Sequence, residues 1–437
     1  MLSAFAGLII AGAILLCLPF ATVGAPLNPL DALFTATSAV CVTGLIVVDT
    51  ATAFSTFGQI VILALIQLGG LGIITFSVMV MLLLGRRASL VQREVLQTQK
   101  VGAEVGLEPL EIGKRILAFV AIAEFIGVIV LALAFMRYFP FDIALYHAAF
   151  QSISAFCNAG FSTFAGSMTA FSGDAFVLVP MMLLIVVGGL GFVVVIDFEG
   201  IFRRGRRTTL QTRIVLATTA VLLLFGAVVF LLFENDNVIE GKPLGEKLLA
   251  SAFHSVTCRT AGFNTVECYD LSNATLLLTM LLMVIGGSPG STAGGIKTTT
   301  AAIIFLTALA RLSGKKEPRF GNCNITGRSV TDAITLTVIV VIFIVCVTLL
   351  LQVSELGPTA HSERRGAFME LSFEAVSAFG TVGLSTGATP SLSPPGKVII
   401  ILTMFIGRLG PLTFFTLLSA FLRAPRYRLY SESVMVG

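Results

Sequence analysis

Hydrophobic residues fall into eight long runs, at about 2–20, 57–84, 110–136, 175–198, 212–233, 272–310, 332–352 and 396–422. A bilayer-crossing helix needs roughly 20 apolar residues, so each run is a candidate span. Within each successive pair of runs lies a shorter amphipathic stretch of about a dozen residues, too short to cross. These stretches begin at helix-start signals: Asn28-Pro29, Asp142, Gly245-Glu246 and Ser362-Glu363. They end in related tripeptides, Val42-Thr43-Gly44, Asn158-Ala159-Gly160, Thr260-Ala261-Gly262 and Thr381-Val382-Gly383, whose glycines are 116, 102 and 121 residues apart. The pattern predicts an all-α membrane protein of four tandem units around a central pore, with eight transmembrane helices. Each unit is an outer helix, a re-entrant pore helix, a filter strand and an inner helix. The units are expected at 1–85, 86–202, 203–314 and 315–437, the last with a C-terminal tail.

Non-helical backbone at membrane depth is tolerated only inside protein or beside water, and a filter satisfies that condition. Thr-Val-Gly is the core of the potassium-channel filter, in which carbonyls replace an ion's hydration shell. Glycine at the third position permits the φ values that aim successive carbonyls at the axis. A second landmark follows each filter glycine by 25, 28, 24 and 24 residues: Gly69-Gly70-Leu71-Gly72, Gly188-Gly189-Leu190-Gly191, Gly286-Gly287-Ser288-Pro289 and Gly407-Arg408-Leu409-Gly410. This recurrence places four glycines at one depth beneath the filters, where a wide, backbone-lined cavity and helix kinking are expected. In the third unit the landmark continues as Gly286, Gly287, Ser288, Pro289, Gly290, Ser291, Thr292, Ala293, Gly294 and Gly295. Each glycine costs a helix about 1 kcal/mol and proline about 3, so this span is interrupted, and the other three are not to this degree. The interruption lies below the filter and is a candidate gate, with a packing kink as the plain alternative.

Hydrophobic residues make up 56% of the chain and charged ones 12%, against about 25% in soluble domains, which excludes a soluble protein. The loops 85–115, 203–213 and 311–328 and the tail 423–428 hold 19 of the 28 Lys and Arg. Positive residues stay inside, so both termini are expected in the cytoplasm. The opposite face carries 14 acids, among them Asp49, Asp174, Glu234 and Glu267, as an acidic mouth or as ordinary loop solvation. Cysteine and histidine spacings give no disulfide framework and no metal site. Gly290–Thr298 approaches a phosphate-binding loop, but Ile296 separates Gly295 from Lys297 and an apolar run precedes it, so nucleotide binding there is rejected. Neither an organic cofactor nor a nucleic-acid partner is expected. A membrane enzyme would need convergent acids or histidines. Glu124 is the one mid-span acid without an obvious catalytic partner, and helix packing or a dimer contact is expected for it.

Two cations stand out. Arg259 has Cys41, Cys157 and Gly380 as counterparts and is expected behind the filter, bonding carbonyls or an acid. Arg408 replaces Gly70 and Gly189 within an apolar span, where an ionised group needs a cavity or a partner. Unit four adjoins unit three in a ring, so Arg408 is expected to bond the broken segment and to add a barrier to cations. A structural pairing with Asp197 is the alternative.

The chain resembles the membrane subunits of the Ktr/Trk/HKT superfamily of potassium transporters along essentially its whole length. The resemblance rests on the four filters, "FTATSAVCVTGL" (34–45), "SVTCRTAGFNT" (255–265), "SAFGTVGLSTG" (377–387), "GGSPGSTAGGIKT" (286–298) and "IGRLGPLT" (406–413). Eight spans beginning directly at the first outer helix look like the KtrB type, and a cytoplasmic N-terminal extension is one expectation for such a start. The resemblance implies potassium uptake across a bacterial inner membrane and potassium held by filter carbonyls, with sodium a candidate activator. It also implies a homodimer with one pore per protomer, and a cytoplasmic octameric ring that binds nucleotide. That ring, or anionic lipid, is expected on the basic loops, including Arg203, Arg204, Arg206 and Arg207. The four glycines fit potassium, since a serine at the first filter position accompanies sodium transport in some relatives. A sodium-coupled secondary cation transporter is the other reading, although its repeats are usually inverted or two-fold.

Overall fold

In the computed structural model, the described residues are 2–71, 109–204, 208–360, 362 and 364–410. The expected unit boundary at 85/86, most of loop 85–115 and the tail lie outside them, as do the side chains of Arg203, Arg204, Arg206 and Arg207. Among the described residues helices dominate, and the one small sheet is a hairpin pairing Arg319–Phe320 with Cys323–Asn324.

Each unit repeats one plan. Outer helices are α1 (Leu2–Leu16), α4 (Pro109–Phe135), α8 (Leu210–Glu234) and α12 (Gly327–Leu356). Pore helices are α2 (Pro29–Cys41), α5 (Phe141–Cys157), α9 (Leu244–Thr257) and α13 (Ala367–Gly380). Inner helices are α3 (Thr56–Gly70), α6 (Ala175–Leu190) continued by α7 (Phe192–Arg204), α10 (Asn273–Val284) continued by α11 (Thr298–Leu312), and α14 (Pro394–Leu409). Within a unit the outer helix packs on its own pore helix. Between units each pore helix packs on the preceding inner helix: α5 on α3, α9 on α6, α13 on α10 and α2 on α14. The last pairing closes the ring.

Among the described residues, three helices are long and apolar enough to cross a membrane, Gly113–Phe135, Leu210–Glu234 and Gly327–Leu356. The run 175–198 forms a pair of helices bent by 93° at Gly191 (φ +78°). The second inner helix is thus broken as well, at a single residue, whereas the third opens into the thirteen-residue strap 285–297. Gly410 (φ +82°) ends α14 at the equivalent position.

The pore-helix starts differ in part from the sequence signals. Asn28 caps α2, its side-chain oxygen accepting from the Leu30 N–H at 3.1 Å. Asp142 and Glu246 do not cap. They sit in the first turns of helices preceded by Pro140 and Pro243. The fourth helix starts after Gly366 (φ +93°), beyond Ser362, because that left-handed turn breaks the chain there. All four carry an acid in the first turn, Asp31, Asp142, Glu246 and Glu370, where it complements the positive end of the helix dipole.

Candidate ion pore and intramembrane strap

The pore helices converge by their C-terminal ends, so the negative ends of four dipoles face the filter segments. The first tripeptide residue is left-handed in every unit: Val42 (φ 56°), Asn158 (59°), Thr260 (67°) and Thr381 (50°). Three are β-branched, for which this conformation costs about 1–3 kcal/mol. Hydrogen bonds of the Schellman type hold it. Val42 N–H donates to Ala39 O at 3.1 Å and Thr43 N–H to Ser38 O at 2.8 Å; Asn158–Ala155 (3.1 Å), Ala159–Ser154 (2.8 Å), Thr381–Ala378 (3.2 Å) and Val382–Ser377 (2.9 Å) repeat the pair. The third unit closes differently, with Ala261 N–H donating to Thr257 O at 3.0 Å. The tripeptide glycines also have positive φ, from 72° to 91°, while the middle residues do not. This alternation departs from a strand, in which successive carbonyls point opposite ways.

The four segments meet in a ring. A Cβ placed on Gly44 would lie 2.5 Å from Ala159 O, on Gly160 3.0 Å from Ala261 O, on Gly262 2.4 Å from Val382 O, and on Gly383 2.1 Å from Thr43 O. Each glycine therefore abuts the middle carbonyl of the next unit, and the fourth returns to the first. Above them lies a vestibule of about 230 Å³ whose wall includes Asp49 and Glu267.

Below lies the strap. Its two ends pair as a parallel bridge: Gly286 N–H donates to Ile296 O (2.9 Å) and Ile296 N–H to Val284 O (3.0 Å). Inner helix two holds its middle, as Gly189 O accepts from Ser288 N–H (3.0 Å), Gly188 O from Thr292 N–H (3.4 Å), and Phe192 N–H donates to Gly290 O (3.2 Å). Gly294 is pressed against filter four, where a Cβ would lie 2.2 Å from Thr381 Oγ1. Three cations bind strap carbonyls. Arg408 donates to Thr292 O and, at 2.5 Å, to Gly69 O of inner helix one. Lys297 Nζ donates to Ala293 O at 2.7 Å, and Arg259 to Gly286 O at 2.8 Å. Lys297 and Arg408 line a cavity of about 180 Å³ together with Gly290, Ser291, Thr292 and Ala293. Asp197 does not pair with Arg408; its carboxylate accepts from Thr209 and Thr212.

Residues 11–429 match the model of TrkH, a cation transport protein family. This chain belongs to the TrkH family of cation transport proteins. It is 39% identical over 412 residues to Ktr system potassium uptake protein B of Bacillus subtilis, covering 93% of this chain and 89% of the relative. Identity to the Vibrio alginolyticus protein of the same name is 38% over 415 residues, covering 94% and 89%. The potassium/sodium uptake protein NtpJ of Enterococcus hirae is 36% identical over 434 residues, covering 98% and 95%. The crystal structure of the potassium transporter TrkH from Vibrio parahaemolyticus shares the fold, with a TM-score of 0.73 at 20% identity, covering 97% of this chain and 84% of that one. The TrkH-family chain is a membrane transporter and not an enzyme.

Several residues of this TrkH-family member match their sequence reading only in part. The landmark glycines serve packing as well as the expected cavity, since Gly70, Gly188, Gly191 and Gly410 line the space of about 180 Å³ under the filter segments. A Cβ on Gly69, Gly188 or Gly407 would lie 2.0, 1.9 or 2.1 Å from the Val40, Phe156 or Phe379 carbonyl, so these three allow close packing of inner on pore helix. Five of the 14 acids on that face have the following structural partners. Asp31 pairs with Lys397 (2.6 Å) and Asp174 with Arg137 (3.1 Å), and Glu374 is buried under Ser385, Thr386 and Thr389. Glu234 and Glu355 bind the inner-helix caps Ser272 and Ser393. Asp49 and Glu267 remain at the vestibule. Partial desolvation there, and then the neighbouring Asp270 carboxylate, hold Glu267 above the usual carboxylate range. Glu124 fits its expected helix-packing role, accepting from Gln67 Nε2 at 3.1 Å with Cys157 Sγ 3.9 Å away. His147 and His254 bond to Thr163 and Thr279.

A set of hydroxyls escaped the sequence reading. Ser38 and Ser377 accept from Gly44 and Gly383 N–H, each at 3.1 Å, while Ser154 and Thr257 donate to Phe161 O (2.7 Å) and Phe263 O (2.6 Å). The signal available was a Ser or Thr in the last turn of every pore helix.

Proposed function

We propose that this protein takes up potassium through a channel-like pore filtered at Val42–Gly44, Asn158–Gly160, Thr260–Gly262 and Thr381–Gly383 and gated by the strap. The observation that carries this reading is the cyclic contact of the four glycines with their neighbours' carbonyls. Such a ring offers carbonyl oxygens in place of an ion's hydration shell. The names of the Bacillus and Vibrio relatives support potassium as the cargo. In this reading Arg408 and Lys297 hold the strap under the filter and set an electrostatic barrier, and release of the strap opens the pore. Regulation comes from an octameric nucleotide-binding ring on the cytoplasmic face, and the pore works as a homodimer in a bacterial inner membrane, with sodium as an activator.

Gly44→Ser tests the filter. A side chain there meets the Ala159 carbonyl and disfavours the backbone at φ +90°. In a strain lacking other uptake systems, the potassium-to-sodium uptake ratio should fall about tenfold, near 1.4 kcal/mol of discrimination. An unchanged ratio would remove Gly44 from the filter. The Enterococcus relative, named for both ions, favours a second reading as a sodium-coupled secondary transporter. Potassium flux in liposomes that vanishes without a sodium gradient would establish that reading instead.

A further inference from the structure

The geometry points to Arg259 as a positioning residue that makes ion selectivity depend on where the strap lies. This inference rests on the proposed filter and gate. Arg259 immediately precedes the filter residue Thr260, where the other units carry Cys41, Cys157 and Gly380. Its side chain is buried, and among the described residues no carboxylate pairs with it. A buried guanidinium is expensive and needs strong partners. One nitrogen has such a partner, the Gly286 carbonyl at 2.8 Å, where α10 gives way to the strap. Nη1 is buried with no partner among the described residues. Arg259 also borders a cavity of about 10 Å³ lined with Gly189, Thr219 and Gly287, close to the space one water occupies.

The root of the strap thus touches filter three through two adjacent residues. Arg259 bonds the Gly286 carbonyl, and Thr260 Cγ2 would lie 3.4 Å from a Cβ at Gly286. Gly286 packs on Gly294, and Gly294 on Thr381 of filter four. A charge-assisted hydrogen bond is of the strong kind, and leaving its donor buried and unpaired is costlier still. When the strap shifts, the Gly286 carbonyl shifts, Arg259 follows it, and Thr260 is displaced with it. The hydroxyls of Thr260 and Thr381 are buried without partners, so no hydrogen bond of theirs opposes that displacement.

The test compares potassium and sodium fluxes in liposomes for the wild type, Arg408→Ala, Arg259→Met, Arg259→Lys and the double variant Arg259→Met/Arg408→Ala. Arg408→Ala frees the strap and should shift the potassium-to-sodium ratio about tenfold, which is near 1.4 kcal/mol. In the Arg259→Met background the same change should raise flux and leave the ratio where it was. Arg259→Lys, whose ammonium still reaches a carbonyl, should restore the dependence. An equal shift in both backgrounds, or no shift from Arg408→Ala alone, would overturn the inference. Gly44→Ser runs alongside: if it leaves the ratio unchanged, the filter reading fails rather than the coupling. Should Arg259→Met not insert, Arg259→Gln replaces it; failure of both assigns Arg259 to folding and also overturns the coupling.

Discussion

Val42 places a β-branched side chain where glycine is at ease, and two hydrogen bonds from the end of its pore helix keep it there. In the proposed filter, strain held in this way would fix carbonyl direction before an ion arrives. Glu267 acts at the same scale through charge. Its carboxyl takes up a proton at a higher pH than an ordinary glutamate, so on acidification the vestibule loses this negative charge earlier than it would from an unperturbed carboxylate. Uptake from low potassium should therefore decline as external pH falls from 7 toward the carboxylate range. Glu267→Gln should start lower and respond less to pH. Uptake of a potassium tracer at two external pH values checks this; an identical pH profile in the variant would place the titrating group elsewhere.

The strap is the element in which sequence and structure agree most closely. Five glycines and a proline forbid a helix, and 285–297 is non-helical. It rests on inner helix two and on Arg408, which suits the proposed barrier. Deleting 289–293 should raise potassium flux severalfold in reconstituted protein and weaken its dependence on the cytoplasmic ring. A deletion that inserts yet transports no faster would move the barrier elsewhere. The fourfold plan was likewise legible, because apolar run lengths and glycine spacing are properties of each unit alone. Kinking at the inner-helix landmarks was expected, but the full 93° break at Gly191 was not: within Gly188-Gly189-Leu190-Gly191 the glycine that breaks the helix looks the same as those that pack. Asp142 and Glu246 were misplaced as helix starts because an acid near a helix start can serve the dipole as well as the cap. The roles of Ser38, Ser154, Thr257 and Ser377 depend on which backbone atom each meets across the filter, and spacing does not encode that.

At the scale of the molecule each unit leans on the one before it, pore helix on inner helix, around a closed circuit. Neighbouring units therefore hold one another by packing as well as by the linkers between them. Co-expressed fragments 1–204 and 205–437 should restore growth on low potassium to at least a tenth of the intact protein's uptake, while either alone gives none. Failure of the pair, with both fragments inserted, would show that the linker itself is required. The circuit also has a seam, where α2 meets α14 and Asp31 meets Lys397 across 366 positions of chain. During synthesis α2 is made first and its neighbour last. Until the ribosome delivers the fourth unit, the first pore helix stands with one flank bare in the bilayer. The seam is thus the last interface of the ring that can form, and the wait for it lasts as long as translation does.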